Sequence, residues 1–337
     1  MTTERVAKPQ NSKRRHHFIP VAYLRHFTDA GGKIFAFRKH TDQQEPIHTT
    51  PRNIALIRDY YSQPKPDGEW DHNALEDLFD RKVESKWPAL VARIRQRDNI
   101  NDALEPLFGF IAALRVRVPA ARDAAELMQA AMVKSTMRLL DKKGKLPSLP
   151  QGITIDHFDV AINPHASIHA MPTLVKGFAI VLKGLGFEIL CNETDVPLLT
   201  NDNPVMYFDA DRPMESLQPY QSDPYGGRVE LLVPIDTHHV LRGHPALKSR
   251  HGRKGIAYAR LKGRDPVRRI NKLTAMFGYD FVFADSTIHK GIIKEHANIS
   301  PVLKTERIPQ PDGGSLLHYQ SVFGPRPRKP KWTEKAS

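Results

Sequence analysis

Apolar positions along this chain change their spacing twice, and the changes divide it into a β-rich opening, a helical middle and a β-rich finish. After His16 and His17, Pro20 opens a short helix that sets Tyr23, Leu24 and Phe27 on one side. The Asp29-Ala30-Gly31-Gly32 turn then leads into a strand over 33–38. Residues 50–62 predict a helical turn followed by an extended piece ending at Tyr60 and Tyr61. From 71 to about 97 the period becomes helical, through Leu75, Leu78, Phe79, Val83, Trp87, Leu90, Val91 and Ile94. Pro88 predicts a kink or a restart there, because proline removes an intrahelical donor. A helix over 102–118 turns Leu104, Leu107, Phe108, Ile111, Leu114 and Val118 inward, and Pro119 starts the next, which runs toward Leu140 and ends at a Gly/Pro linker. Asn163-Pro164 caps a helix reaching about Gly184. Beyond it the period shortens again, predicting strands over 187–192, 197–200, 205–208, 229–235 and 281–284. A helix opened by Asp265-Pro266 and stopped by Gly278 lies between the last two.

Segregated strands and helices predict an α+β fold: a small β-rich N-terminal part, a central helical bundle and a mostly β C-terminal part, with helices on one side of an antiparallel or mixed sheet. Residues 1–15 read as a flexible basic arm, 16–300 as a single α+β domain and 301–337 as an extended basic tail.

Composition narrows the class of protein. Of 337 residues, 40% are apolar and 26% charged, as in folded globular chains. The single cysteine, Cys191, excludes an intrachain disulfide and a Cys-rich zinc site. Apolar runs near 108–114 and 178–191 are too short or interrupted to span a bilayer, and the basic N-terminus carries no apolar core of a secretory signal. The expectation is a cytoplasmic protein with no membrane partner.

The net charge of +13 is local. Residues 238–272 hold Arg242, Lys248, Arg250, Arg253, Lys254, Arg260, Lys262, Arg264, Arg268, Arg269 and Lys272 against the single acid Asp265. Clustered cations focus a positive potential and attract polyanions, nucleic acid first among them. The alternative is a solvated basic loop that keeps the protein soluble.

Individual residues offer further chemistry. On a strand His16 and His17 point to opposite faces, so one imidazole enters a given pocket; a neutral histidine is a competent general base near neutral pH. The competing reading is a structural histidine beside Pro20. The pair does not make a His-Asn-His nuclease, since the next asparagine is Asn53. Asn201, Asp202 and Asn203 precede Pro204 at a strand end, where they form turns through their own backbone or present a carboxylate to a histidine, cation or ligand. Arg115, one turn from Ile111, lies nearer the buried stripe than a solvent-facing arginine would, and so requires an internal carboxylate or an anionic ligand. His165 and His169 share a helix face at metal-ligand spacing but have no third donor in register, and read as surface histidines. Walker, dinucleotide-binding, nucleophile-elbow and His-Glu-x-x-His motifs do not occur.

Taken together, HHFIPVAYLRHFTDAGGKIFAFRK, PRNIALIRDYYS, LEDLFDRKVESKWPAL, IAALRVRVP, and PLLTNDNPV followed by ELLVPID resemble the bacterial family known as domain of unknown function 4238. His17, Phe18, Ile19 and Pro20 match its opening signature, and Asp202, Asn203 and Pro204 a later motif. The resemblance implies one long domain over about 16–285 and supplies no reaction.

Three readings of function follow. The first is nucleic-acid or polyanion binding, extending to a nuclease-like effector, with His17 and Asp202 at a reactive site and the 242–272 cations on phosphates. The second is a non-catalytic module for a protein or small ligand. The third is an enzyme whose small anionic substrate is gripped by Arg115 with Asn201 and Asn203. Cofactor, metal use and oligomeric state are open.

Overall fold

In a computed structural model of the chain, residues 14–42, 45–79, 84–221, 228–251, 255–310 and 315–333 are described. Strands Ala257–Leu261, Gly186–Asn192, His239–His244, Val229–Pro234 and Met206–Asp209 lie side by side in that order. All neighbours are antiparallel except Ala257–Leu261, which runs parallel to Gly186–Asn192. The central strands read as almost unbroken apolar runs, and Val229–Pro234 is buried at every position. Such a strand needs cover on both faces.

One face supplies Ile189, Cys191, Leu231, Val233 and Leu241, which pack with Leu107, Phe110, Ile111 and Leu114 of helix Leu104–Arg117 and Phe178 of helix Met171–Lys183. The other face supplies Leu190, Leu232, Val240 and Phe208, covered by Val267, Ile270, Leu273 and Phe277 of helix Arg264–Phe277. The fold is α+β as expected, but helices cover both faces of this sheet and not one. The reason lies in residues 264–277, whose apolar positions recur three and four apart and so form a second amphipathic cover. Gly186 permits close seating of helix Pro245–His251, since a Cβ there would sit 2.1 Å from the backbone nitrogen of Lys248.

A second, antiparallel sheet orders Ile47–Thr49, Ile34–Arg38, Phe281–Ala284 and Thr200–Asn201. It joins the start of the chain to its later part. Beside it, Arg15–His17 pairs with Leu56–Arg58, so strand structure begins inside the segment expected to be an arm. The helical stretch expected over 71–97 appears as Ala74–Phe79 and Trp87–Arg95, with Pro88 in the first turn of the latter, a restart; Val83 lies outside the described residues.

Two further differences come from polar sequence that hides strand structure. His239–His244 and Ala257–Leu261 lie within the basic segment, and the arginines Arg242 and Arg260 mask their apolar alternation. The expected extended tail instead starts with a long hairpin, in register from Ser300 opposite Gly324 to Pro309 opposite Ser315.

Candidate functional site

Strand alternation separates the two opening histidines. His16 is fully buried, its Nδ1 accepting the backbone N–H of Tyr61 at 2.8 Å while its ring stacks on that tyrosine. His17 faces the other way, and its Nε2 lies 3.2 Å from the carbonyl oxygen of Arg52. A carbonyl only accepts, so Nε2 carries the hydrogen and Nδ1 keeps the lone pair of a neutral ring. Burial pulls the pKa of His17 below the ordinary histidine value against that carbonyl, and the charges of Arg117 and Arg15 pull the same way. The ring is therefore neutral at physiological pH.

What holds the motif is Arg117, whose side chain is 1% exposed. Its guanidinium donates to the Tyr61 hydroxyl at 3.0 Å, to Glu84 Oε1 at 2.6 Å and to the carbonyl oxygen of His17. A buried arginine with three oxygen partners, one of them anionic, meets the demand that burial places on it. The internal carboxylate expected for Arg115 thus belongs to Arg117. One signal was available: Arg117 falls on the stripe Leu107, Phe110, Leu114 at helical spacing.

His17 lines a cleft of about 890 Å³ with Arg14, Arg15, Arg25, Arg52, Glu76, Glu84 and neighbouring Val21, Ala22, Asn53, Ser85 and Pro88. Arg14 is held by both oxygens of Asp59, at 2.8 and 2.7 Å, and Glu84 is taken by Arg117. Arg15, Arg25 and Arg52 are exposed, and none has an acidic partner within 4 Å among the described residues. Sequence reasoning passed over these three, since they are scattered along the chain.

The Asn201-Asp202-Asn203 loop does not open on this cleft. All three residues are buried. Asp202 accepts the backbone N–H groups of Tyr279 and Asp280 at 2.7 Å each. Burial and the neighbouring Asp280 charge raise its pKa, while those N–H bonds and the Lys39 ammonium oppose the shift. Lys39 is itself buried, and donates to the carbonyls of Ala275 and Gly278 at 2.6 and 2.8 Å. Asn201 donates to Thr274 O at 2.6 Å and accepts the N–H of Asn203 at 2.8 Å. Asn203 donates to Phe277 O at 2.9 Å and to the Tyr220 hydroxyl. These bonds seal the C-terminal end of helix Arg264–Phe277 and fix the turn before strand Phe281–Ala284. The geometry fits the turn-forming reading of the loop, whose side chains bond mainly to backbone.

Arg115 is half-buried, and its guanidinium carbon stands 3.9 Å from the Tyr220 ring centre and 5.8 Å from that of Tyr207. Tyr220, bonded to Asn203, links it to the loop, whereas His17 stands apart. His17, Arg115 and Asp202 are thus not drawn to one cleft. His165 Nδ1 donates to the Ser62 carbonyl at 2.7 Å and its ring packs edge-on to Trp70, which is a structural role. Among the described residues no three His, Cys, Asp or Glu side chains cluster as metal ligands.

The cations of 242–272 are mostly matched by acids from elsewhere in the chain. Strand register sets Arg242 opposite Glu188, and its guanidinium reaches Glu188 at 3.0 Å and Glu230 at 2.8 Å. Arg269 approaches Glu230 at 3.5 Å, Arg260 Glu193 at 3.2 Å, Arg268 Asp265 at 3.6 Å and Lys272 Glu295 at 4.0 Å. Arg264 is bidentate on Asp195, at 2.8 and 2.6 Å. Lys248 donates to the Lys183 carbonyl at 2.7 Å. Arg250 and Lys262, like Lys248, are exposed without an acidic partner among the described residues, and Arg253 and Lys254 lie outside them. Counting charge along the sequence overstates the segment because its counter-ions are remote in sequence.

Among the described residues no helix is long and apolar enough to cross a membrane. Neither a curated protein nor a solved structure matches the chain. Residues 15–287 do match a family, taking in the strand of His17, the Arg117 anchor and the Asp202 loop together, and the chain belongs to that family, described as Protein of unknown function (DUF4238).

Proposed function

We propose that the chain binds a phosphate-bearing polyanion, a nucleic-acid strand, in the cleft lined by His17 and not along the 242–272 segment. The observation that carries this reading is the contrast in pairing. Arg15, Arg25 and Arg52 share one cleft and have no acidic partner among the described residues, while most of the later cations are matched. An arginine already bonded to a carboxylate has less to gain from a phosphate than one that is not, and uncommitted guanidinium groups suit bidentate phosphate recognition.

Fluorescence anisotropy with labelled single- and double-stranded oligonucleotides over a salt series tests it. Binding should weaken with log salt by about 0.7 to 0.9 per phosphate contact. The triple variant Arg15→Gln, Arg25→Gln, Arg52→Gln should lose most of that slope, and the double variant Arg250→Gln, Lys262→Gln should keep it. Absence of binding at low salt, or the reverse pattern between the variants, overturns the reading.

Strand cleavage is the second reading, favoured by the neutral His17 ring at the wall of the same cleft. With Nε2 engaged, Nδ1 is the atom that would take a proton from an attacking hydroxyl or water. It stands if the wild type cuts the strand and His17→Gln binds without cutting, and falls if the wild type does not cut.

A further inference from the structure

We propose that the small pocket walled by Arg115 binds a monoanionic carboxylate with a compact apolar body. Val116, Thr173, Leu174, Gly177, Phe178 and Tyr207 line it with Arg115, and its volume is about 190 Å³. At roughly 30 Å³ per water this is room for about six waters, enough for a single six-membered ring or a short acyl chain.

The charge on Arg115 has no counter-ion of its own. No acidic side chain lies within 4 Å of it among the described residues, and its neighbours are the ring of Tyr220 and Tyr207, with which it also makes a side-chain hydrogen bond. The two buried guanidinium groups on the neighbouring turns are answered by oxygen: Arg117 by Glu84, Tyr61 and His17, and Arg122 by Ser167, Tyr60 and Pro164. Burial raises the Tyr220 pKa, so that phenol stays neutral and cannot supply the missing charge. Aromatic faces and the Tyr207 hydroxyl stabilise a guanidinium without neutralising it, whereas a carboxylate brings the missing charge and accepts two in-plane N–H donors side by side. One cation in a mostly carbon-lined pocket matches a single negative charge; a phosphate dianion would retain an unmatched one.

This site is independent of the cleft assigned above. Residues two apart on an α-helix project about 200° apart, so Arg117 faces His17 while Arg115 faces the tyrosines.

Isothermal titration with benzoate and hexanoate, against benzamide and phenyl phosphate, tests the proposal. Benzoate or hexanoate should bind saturably and benzamide at least about tenfold more weakly, the effect of losing a charge-assisted pair. Arg115→Met should weaken carboxylate binding by a similar factor. Gly177→Leu serves as a second variant: an added Cβ at Gly177 meets nothing within 4 Å, so the helix accommodates the substitution while its side chain occupies the pocket. It should abolish binding. Equal binding of benzamide, preference for phenyl phosphate, no saturable binding of either carboxylate, or binding that survives both variants would overturn the proposal.

Discussion

The carboxylate of Asp202 receives the backbone N–H of Tyr279 at 2.7 Å, across 77 positions of sequence. With the second bond from Asp280, it fastens the turn that follows helix Arg264–Phe277. Asp202→Ala would leave both N–H groups buried and unanswered. The expected loss is about 2 to 4 kcal/mol of unfolding free energy, read by urea denaturation. A variant as stable as wild type would remove the structural role assigned here.

Arg117 gives a sharper case. Arg117→Met strands Glu84 and frees the His17 carbonyl and Tyr61 hydroxyl, and should cost about 3 to 5 kcal/mol. Arg117→Lys should recover little of it, because one ammonium cannot span three acceptors held in a planar fork. Thermal unfolding of both variants is the measurement, and full recovery by lysine would contradict the geometry.

Asp236 predicts a pH dependence. Its Oδ1 lies 2.9 Å from His239 Nδ1 and its Oδ2 accepts from Arg95 at 2.8 Å. Burial works against the His239 imidazolium, but the Asp236 bond and the Cys191 sulfur outweigh it and raise its pKa to about 9. Asp236 is correspondingly held well below the usual carboxylate range, the His239 and Arg95 partners overcoming its burial. A raised histidine pKa contributes stability that is complete below about pH 6.5 and is lost as pH climbs through about 9. Allowing for solvent screening, the decline should be about 1 to 2 kcal/mol. His239→Gln should flatten stability across that interval, and an unchanged profile would refute the pairing.

The tail offers a fourth test. Arg326 bonds Asp123 at 3.0 Å and also Asp280, and Lys329 reaches Asp123 at 3.0 Å. Removing both cations by Arg326→Ala and Lys329→Ala leaves Asp123, a mostly buried carboxylate, with only the Tyr279 hydroxyl among the described residues. A loss of about 1 to 3 kcal/mol is expected by denaturant titration. No loss would mean that these contacts do not secure the segment.

Elements whose apolar spacing was uninterrupted were legible from sequence. Helix Leu104–Arg117 and strand Phe281–Ala284 fall within a residue or two of expectation. Strand His239–His244 was not, because Arg242 occupies a position where its neutralising acids, Glu188 and Glu230, come from other strands. The same physics governed the candidate site. His17 was readable because the opening motif is short and local, whereas Arg25 and Arg52 join it only through folding. Asn201, Asp202 and Asn203 carry side chains equally suited to ligands and to turns, and only the position of Tyr279 decides between them.

Tyr23, seven residues after His16, donates its hydroxyl to the Pro234 carbonyl at 2.8 Å and meets Thr200 Oγ1 at 2.7 Å. Those partners are 211 and 177 positions downstream. At ordinary elongation rates the opening segment leaves the ribosome roughly 10 to 40 s before Pro234 does. During translation the nascent N-terminal motif must therefore wait, with its aromatic side chains uncovered, for the strands that complete it. Chaperone engagement is expected in that interval.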